Sequence, residues 1–119
     1  MLYVNLSELK LILFMFIYNI TTNVDESIHL EWLNWMKDTH IPDILATGNF
    51  HKALISEVMV KEELGGITYS IQFTCDSKEK LEKYFLKDDQ KMQNKVRKLF
   101  ENKFGTFTTV MKIVKELEI

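Results

Sequence analysis

The sequence has very few of the residues that shape disulfide-linked, loop-rich or repetitive proteins. Its 119 residues include one cysteine, Cys75, one proline and four glycines. A single cysteine excludes an internal disulfide and favours a reducing compartment, so we expect a cytoplasmic protein. The scarcity of proline and glycine argues against linkers and low-complexity segments. A chain of this length is therefore predicted to form one domain that relies on its own hydrophobic core.

Strong charge of one sign and the spacings of common metal sites are also missing. The formal net charge is −2 at pH 7, so nucleic acid is not expected as a partner. The histidines are His29, His40 and His51, and no Cys or His pair in the chain has the spacing of metal ligands. We therefore predict neither a metal site nor a cofactor.

The N-terminal region contains a short apolar run over residues 11–18. A membrane-spanning helix needs about twenty such residues, so no membrane partner is predicted and a membrane anchor is the less favoured interpretation. From Phe16 onward the run alternates like a strand, and Met15 stands directly before it. We predict that residues 1–14 are an extension, as a misplaced start codon would add, and that residues 15–119 form the domain.

Alternation of apolar and polar residues with a period of two predicts four strands. The first covers residues 16–24, and the third, with the clearest pattern, covers residues 67–75. A less regular second strand is predicted over residues 50–61 and a fourth over residues 106–115. A turn over residues 62–66 joins the second and third strands, because its two glycines can adopt positive φ.

Two helical segments separate these strands. The first begins after Asp25, a good N-cap residue, and continues as an apolar stripe at helical spacing. It is predicted to break at Pro42, because proline disfavours the helical conformation of the residue before it. The second segment begins after Ser77, is interrupted at residues 88–89 and is predicted to stop at Gly105.

The order strand, helix, strand, strand, helix, strand is that of the ferredoxin-like split motif. The predicted fold class is α+β, with an antiparallel sheet that carries both helices on one face and has the first and third strands at its centre. The second face of these central strands is polar. Edge residues are expected to add apolar surface to that second face, which is typical of self-association: Leu54, Val58, Val110 and Val114.

Several short motifs occur in an order that resembles a known family. They are Tyr18-Asn19-Ile20-Thr21, Val24-Asp25, His29, Trp32-Leu33, Trp35-Met36, His40-Ile41-Pro42, Leu45-Ala46-Thr47-Gly48, Phe50, Thr68-Tyr69-Ser70-Ile71-Gln72-Phe73 and Lys103-Phe104. This series, from Met15 to about Ile113, resembles the bacterial domain of unknown function 4286. The resemblance implies a dimeric α+β barrel, in which two ferredoxin-like sheets pair face to face in a homodimer. It implies no particular activity.

Two groups of residues are candidate sites. His29 and His40 are about three helical turns apart and are expected on one side of the first helix, together with Trp32 and Met36. They either line a pocket, with one imidazole as a proton shuttle, or belong to the core and helix end, which is the favoured interpretation. The second group is expected to line a cavity on the polar sheet face if a dimer forms: Asn19, Thr21, Ser70, Gln72 and Glu57.

Three functions are compatible with these patterns. The leading hypothesis is a homodimeric α+β barrel protein that binds a small molecule. The first alternative is a cofactor-free oxygenase or isomerase-like enzyme, with His40, His29 or Glu57 as catalytic candidates of shifted pKa in a closed cavity. The second alternative is a protein–protein interaction module, which predicts an exposed Trp35 and no cavity of at least ~300 Å³.

Overall fold

The computed structural model describes residues 15–60 and 65–119, so the predicted extension over residues 1–14 lies outside the described residues. The strands are β1 (Phe16–Val24), β2 (Lys52–Glu57), β3 (Ile67–Cys75) and β4 (Phe104–Lys112). The helices are α1 (His29–Trp35), α2 (Ile41–Ala46), α3 (Lys78–Lys87) and α4 (Asp89–Phe100). A 3-10 turn (Glu26–Ile28) precedes α1, and a π-helical turn (Met36–His40) joins α1 to α2.

The four strands form one antiparallel sheet in the order β2-β3-β1-β4. The predicted α+β class, ferredoxin-like order and central position of the first and third strands are confirmed. In register, Tyr18 of β1 lies between Phe73 of β3 and Val110 of β4. Side chains alternate between faces along each strand, so this register sets which residues face the helices.

The core lies between the sheet and the helices. Its largest fully buried side chains are Trp32, Tyr18, Tyr84 and Phe73, which come from α1, β1, α3 and β3. Burial of each such side chain contributes on the order of 2 kcal/mol to folding. Among the described residues, no helix is long and apolar enough to cross a bilayer.

The first helical segment differs from the prediction at Pro42. The helix does not break there, because His40 and Ile41 both have helical backbone angles. The chain widens into the π-helical turn, in which the N–H of Ile41 donates to the carbonyl of Met36, five residues earlier. Pro42 then falls in the first turn of α2, where the N–H that proline lacks would have no partner in the helix.

The second helical segment begins and divides as predicted but ends earlier. The Ser77 hydroxyl accepts from the backbone N–H of Lys80, and the chain divides at Asp88 into α3 and α4. The predicted stop at Gly105 is wrong, because α4 ends at Phe100 and the left-handed residue is Asn102, with φ of 64°. Gly105 instead belongs to β4, which therefore begins and ends before the predicted positions.

The second strand is shorter than predicted, with six residues in β2. The turn after it falls partly on residues 61–64, which are outside the described residues, but Gly65 and Gly66 have the positive φ that the prediction required. A Cβ on Gly66 would come within 2.8 Å of the carbonyl oxygen of Val24. This close approach to β1 therefore also requires glycine there.

The apolar residues on the second sheet face are partly different from those predicted. Val110 pairs with Tyr18 and so shares the helix-covered face, and Val114 lies beyond the end of β4. By register, the second face carries Leu54, Phe107 and Met111 instead. All three side chains are exposed in the single chain.

Candidate functional site

A cavity of about 80 Å³ lies inside the domain, between the helices and the sheet. Strands β1, β3 and β4 form its floor, α1, the π-helical turn and α2 form one wall, and α3 and α4 form the other. Its lining is mainly apolar, with a few polar groups: Ile20, Thr22, Trp32, Met36, His40, Ile44, Ile71, Tyr84, Asp89, Met92, Gln93, Val96, Arg97, Phe104 and Thr106. The combination of an apolar surface with a few polar groups is typical of small-molecule sites.

The π-helical turn determines the position of His40 in this cavity. Trp32 and Met36 are four residues apart and therefore share one side of the helix. The wide turn then adds a residue, which brings the ring of His40 against that of Trp35, with centroids 4.5 Å apart and planes at 21°. Such turns occur frequently at functional sites, because they place a side chain where a regular helix would not.

Two buried nitrogen atoms at this site have no hydrogen-bond partner within the described protein. They are Nε1 of Trp32, a residue that is 1% exposed, and Nδ1 of His40, a residue that is 3% exposed. The great majority of buried polar groups in native proteins are paired, and an unpaired one costs about 1–3 kcal/mol. A molecule in the cavity that supplied a partner to either nitrogen would recover part of this energy.

The imidazole of His40 is neutral at physiological pH. Burial, reinforced by the positive charge of Lys95 and opposed by Asp43, lowers the pKa of His40 to about 4. A neutral imidazole has one N–H donor and one nitrogen acceptor. His40 can therefore serve a bound molecule as a hydrogen-bond donor or acceptor, according to its tautomer.

A chain of hydrogen bonds forms the polar wall of the cavity. The Tyr18 hydroxyl donates to Oδ1 of Asp89 at 2.9 Å, and Nε2 of Gln93 donates to Oδ2 of Asp89 at 2.7 Å. Nη2 of Arg97 in turn donates to Oε1 of Gln93 at 3.1 Å. Burial, with the charge of Asp89, raises the pKa of Tyr18, so its hydroxyl stays protonated and remains a donor.

The residues predicted along the first helix separate into two places. Trp32, Met36 and His40 all line the cavity. His29 instead contacts the central strand β3, where its Nε2 lies 2.6 Å from the hydroxyl of Tyr69. Glu57 pairs with Tyr69 in register and thus belongs to the helix-covered face, so its expected position on the polar face is wrong. Burial and then the charge of Glu57 raise the pKa of Tyr69.

The residues predicted on the polar sheet face lie together, on the side of the sheet away from His40. Ser70 Oγ donates to Oδ1 of Asn19 at 2.6 Å, and Nδ2 of Asn19 donates to the Thr21 hydroxyl at 3.0 Å. Gln72 is the register partner of Asn19. A broader depression of about 450 Å³ lies beside this group, and its lining includes Gln72 and Leu54.

The polar wall of the cavity was missed from the sequence. Asp89, Gln93 and Arg97 belong to a helical segment whose mixed charges are typical of a solvated surface. Their spacing of four residues was the available signal, because residues at i, i+4 and i+8 share one side of a helix. That side adjoins the apolar stripe formed by Met92 and Val96, so the same spacing brings both sets to the cavity.

The family is decided by a match to a family model, described as a domain of unknown function (DUF4286), over residues 15–114. The chain belongs to the DUF4286 family. The resemblance inferred from the short motifs is therefore confirmed. No curated protein matched this DUF4286 chain.

Solved structures show the same fold at low sequence identity. A dimeric ferredoxin-like protein from an uncultured marine organism is 11% identical, with a TM-score of 0.65 over 87% of this chain and 98% of its own. A second protein of that description is 18% identical, with a TM-score of 0.63 over 88% and 99%. An EthD-like protein from Ralstonia eutropha is 13% identical, with a TM-score of 0.62 over 88% and 96%.

Proposed function

We propose that this DUF4286 protein binds one small, largely apolar molecule with a hydrogen-bonding group in the cavity of each subunit. The observation that carries the proposal is the pair of unpaired nitrogens, Trp32 Nε1 and His40 Nδ1, on residues that line the same cavity. Functional sites are where a protein retains such locally unfavourable groups, because their partner arrives with the ligand.

The size of the cavity limits the ligand. Pockets for drug-sized molecules measure about 300–1,000 Å³, whereas this cavity measures about 80 Å³. A single ring or a short branched chain is the largest body we expect it to accept without movement of the helices. Met36 and Met92 line it, and flexible thioether side chains can adjust to the shape of the bound molecule.

Phenol and toluene test the proposal, because they have similar shapes and only phenol has a hydroxyl. We expect phenol to move the Trp32 Nε1–H resonance downfield in ¹⁵N-correlated NMR spectra, as the N–H gains an acceptor, and toluene to leave it nearly unchanged. Trp35→Phe assigns that resonance, since the chain has two tryptophans. Mass spectrometry of molecules that co-purify with the protein would identify a natural ligand.

His40→Phe is the variant that tests the role of the His40 nitrogens, because it keeps the shape of the side chain. Phenylalanine keeps an aromatic ring against Trp35 but removes both ring nitrogens, so we expect the affinity for phenol to fall by about tenfold, as for the loss of one well-formed hydrogen bond. The fold should be retained, because an unpaired polar group is replaced by an apolar one. If phenol leaves Trp32 unaffected in the wild type, or binds equally well to the variant, the proposal is wrong.

We also propose that the protein is a homodimer that pairs through the second sheet face. Leu54, Phe107 and Met111 expose apolar area there, around the polar group formed by Asn19 and Ser70. Two structures of the same fold are described as dimeric ferredoxin-like proteins, which supports a similar pairing here. Sedimentation equilibrium of the full chain over a concentration series measures the association directly.

An enzymatic function with His40 as a base is the second candidate. It is favoured by the presence of a histidine of shifted pKa that lines the cavity. A base works best when its pKa is near the operating pH, and a pKa of about 4 makes His40 a weak base at pH 7. Binding therefore has the stronger support, and an oxygenase or isomerase activity requires a ligand that raises this pKa.

An interaction module has less support. It predicts an exposed Trp35, but this side chain is only partly exposed and packs on His40 and Phe100, with the latter ring centroid 5.6 Å away. The volume of the cavity, about 80 Å³, agrees with this alternative, whereas the depression of about 450 Å³ on the second sheet face does not. A cytoplasmic location stays a prediction from the single cysteine.

A further inference from the structure

Arg97 carries a positive charge at the outer end of the cavity. It is an exposed residue that nevertheless lines the cavity, so it marks the opening to solvent. Its guanidinium donates to two neutral oxygens, Oδ1 of Asn94 at 3.0 Å and Oε1 of Gln93 at 3.1 Å. Within residues 15–60 and 65–119, no carboxylate forms an ion pair with it. No negatively charged group of these residues therefore neutralises the guanidinium of Arg97 by direct contact.

Asp89, the carboxylate that lines the same cavity, is occupied by other donors. One of its oxygens accepts from the Tyr18 hydroxyl and the other from the amide of Gln93. Gln93 thus stands between the acid and Arg97, donating to the first and accepting from the second. This arrangement orients the guanidinium without neutralising it, and the remaining N–H donors of arginine can bind a planar anion.

The cavity therefore has different chemistry at its two ends. The inner end is apolar, with neutral nitrogens on Trp32 and His40, and the outer end has the cation of Arg97. We propose that the ligand is a small carboxylic acid with one ring or a short branched apolar body. Its carboxylate binds Arg97 and its body enters the cavity. This inference rests on the proposed function, since it requires that the cavity be a binding site.

Benzoate and benzamide test this inference, because they have the same ring and nearly the same shape, and only benzoate is charged at pH 7. Isothermal titration calorimetry of the full chain with each compound should show benzoate binding more tightly. Arg97→Gln should weaken benzoate by about tenfold, the loss expected for a charge-assisted hydrogen bond, and should leave benzamide almost unchanged. Lys98→Gln is the control, since Lys98 is exposed on the same helix and does not line the cavity.

The outcomes separate this inference from the proposed function. If benzamide binds but benzoate binds no better, or if Arg97→Gln weakens both equally, the carboxylate inference is overturned and the cavity remains a binding site. If neither benzamide nor phenol binds, the cavity proposal itself fails. Arg97→Lys gives a further check, because a lysine keeps the charge and should retain part of the preference for benzoate.

Discussion

At the scale of single residues, His40 connects stability with the candidate site. Its ring packs on Trp35, its Nδ1 is unpaired and its burial keeps it neutral. A polar side chain that makes no compensating bond destabilises the unliganded fold, and an apolar residue of similar shape would not. A bound molecule that supplied a partner to Nδ1 would remove this cost.

The depressed pKa of His40 predicts how stability depends on pH. The unfolded chain takes up this proton near pH 6.5, whereas the folded chain resists it until about pH 4. Above pH 6.5 His40 is neutral in both the folded and the unfolded chain, so it makes the free energy of unfolding no smaller. As the pH falls from 6.5 to 4, the unfolded chain binds the proton and the folded chain does not, so the free energy of unfolding decreases. The size of this decrease is about 3 kcal/mol, from about 1.4 kcal/mol for each pH unit of that interval.

Urea unfolding of the wild type and of His40→Phe at several pH values between 7.5 and 4 measures this decrease. Other groups titrate in the same range in both proteins, so the difference between the two is the relevant quantity. We expect the wild type to lose stability relative to the variant as the pH decreases below 6.5. Parallel pH profiles would contradict a buried, neutral His40.

At the scale of elements, the π-helical turn Met36–His40 couples the first helix to the cavity. Such a turn behaves as one residue inserted into an α-helix, so its removal restores regular packing downstream. Deletion of Thr39, an exposed residue within the turn, should convert the segment to a continuous α-helix and replace the present stacking of His40 on Trp35 with the different contact of residues four apart. We expect unchanged helical content by circular dichroism and loss of the phenol response at Trp32.

Thr39→Ala is the control for this deletion, because it changes the same exposed position without changing the length of the turn. It should bind phenol as the wild type does. A deletion variant that folds and still responds normally to phenol would show that the turn does not position the site.

At the scale of the whole molecule, the proposed homodimer pairs through the second sheet face, and this pairing can be tested by mutation. Phe107→Glu places a charge among its apolar side chains and should shift the dimer to monomer at micromolar concentration, because burial of an unpaired charge costs several kcal/mol. Leu86→Glu is the matched control, since Leu86 is 83% exposed and belongs to α3 on the other side of the sheet. Sedimentation velocity distinguishes the two, and equal behaviour of both variants would argue against this interface.

Much of the fold was accessible from the sequence, because strand alternation and helix caps are local signals. The β1 and β3 bounds, the Asp25 and Ser77 caps and the sheet order agree with the structure. The errors at Pro42 and Gly105 have a common cause, since a residue that disfavours helix in isolation was assumed to end one. Pro42 lies in the first turn of α2, directly after the wide turn, and Asn102 takes the left-handed conformation that Gly105 was expected to supply.

The sequence by itself determined the α+β class, the family and the grouping of Trp32, Met36 and His40, because these depend on periodicity and on short motifs. Only the tertiary structure decided that His29 and Glu57 lie at Tyr69, and that α4 supplies Asp89, Gln93 and Arg97 to the cavity. Strand register and helix packing bring together residues that are distant in the chain. No local pattern specifies those contacts, and they are what give the candidate site an apolar interior and a cationic opening.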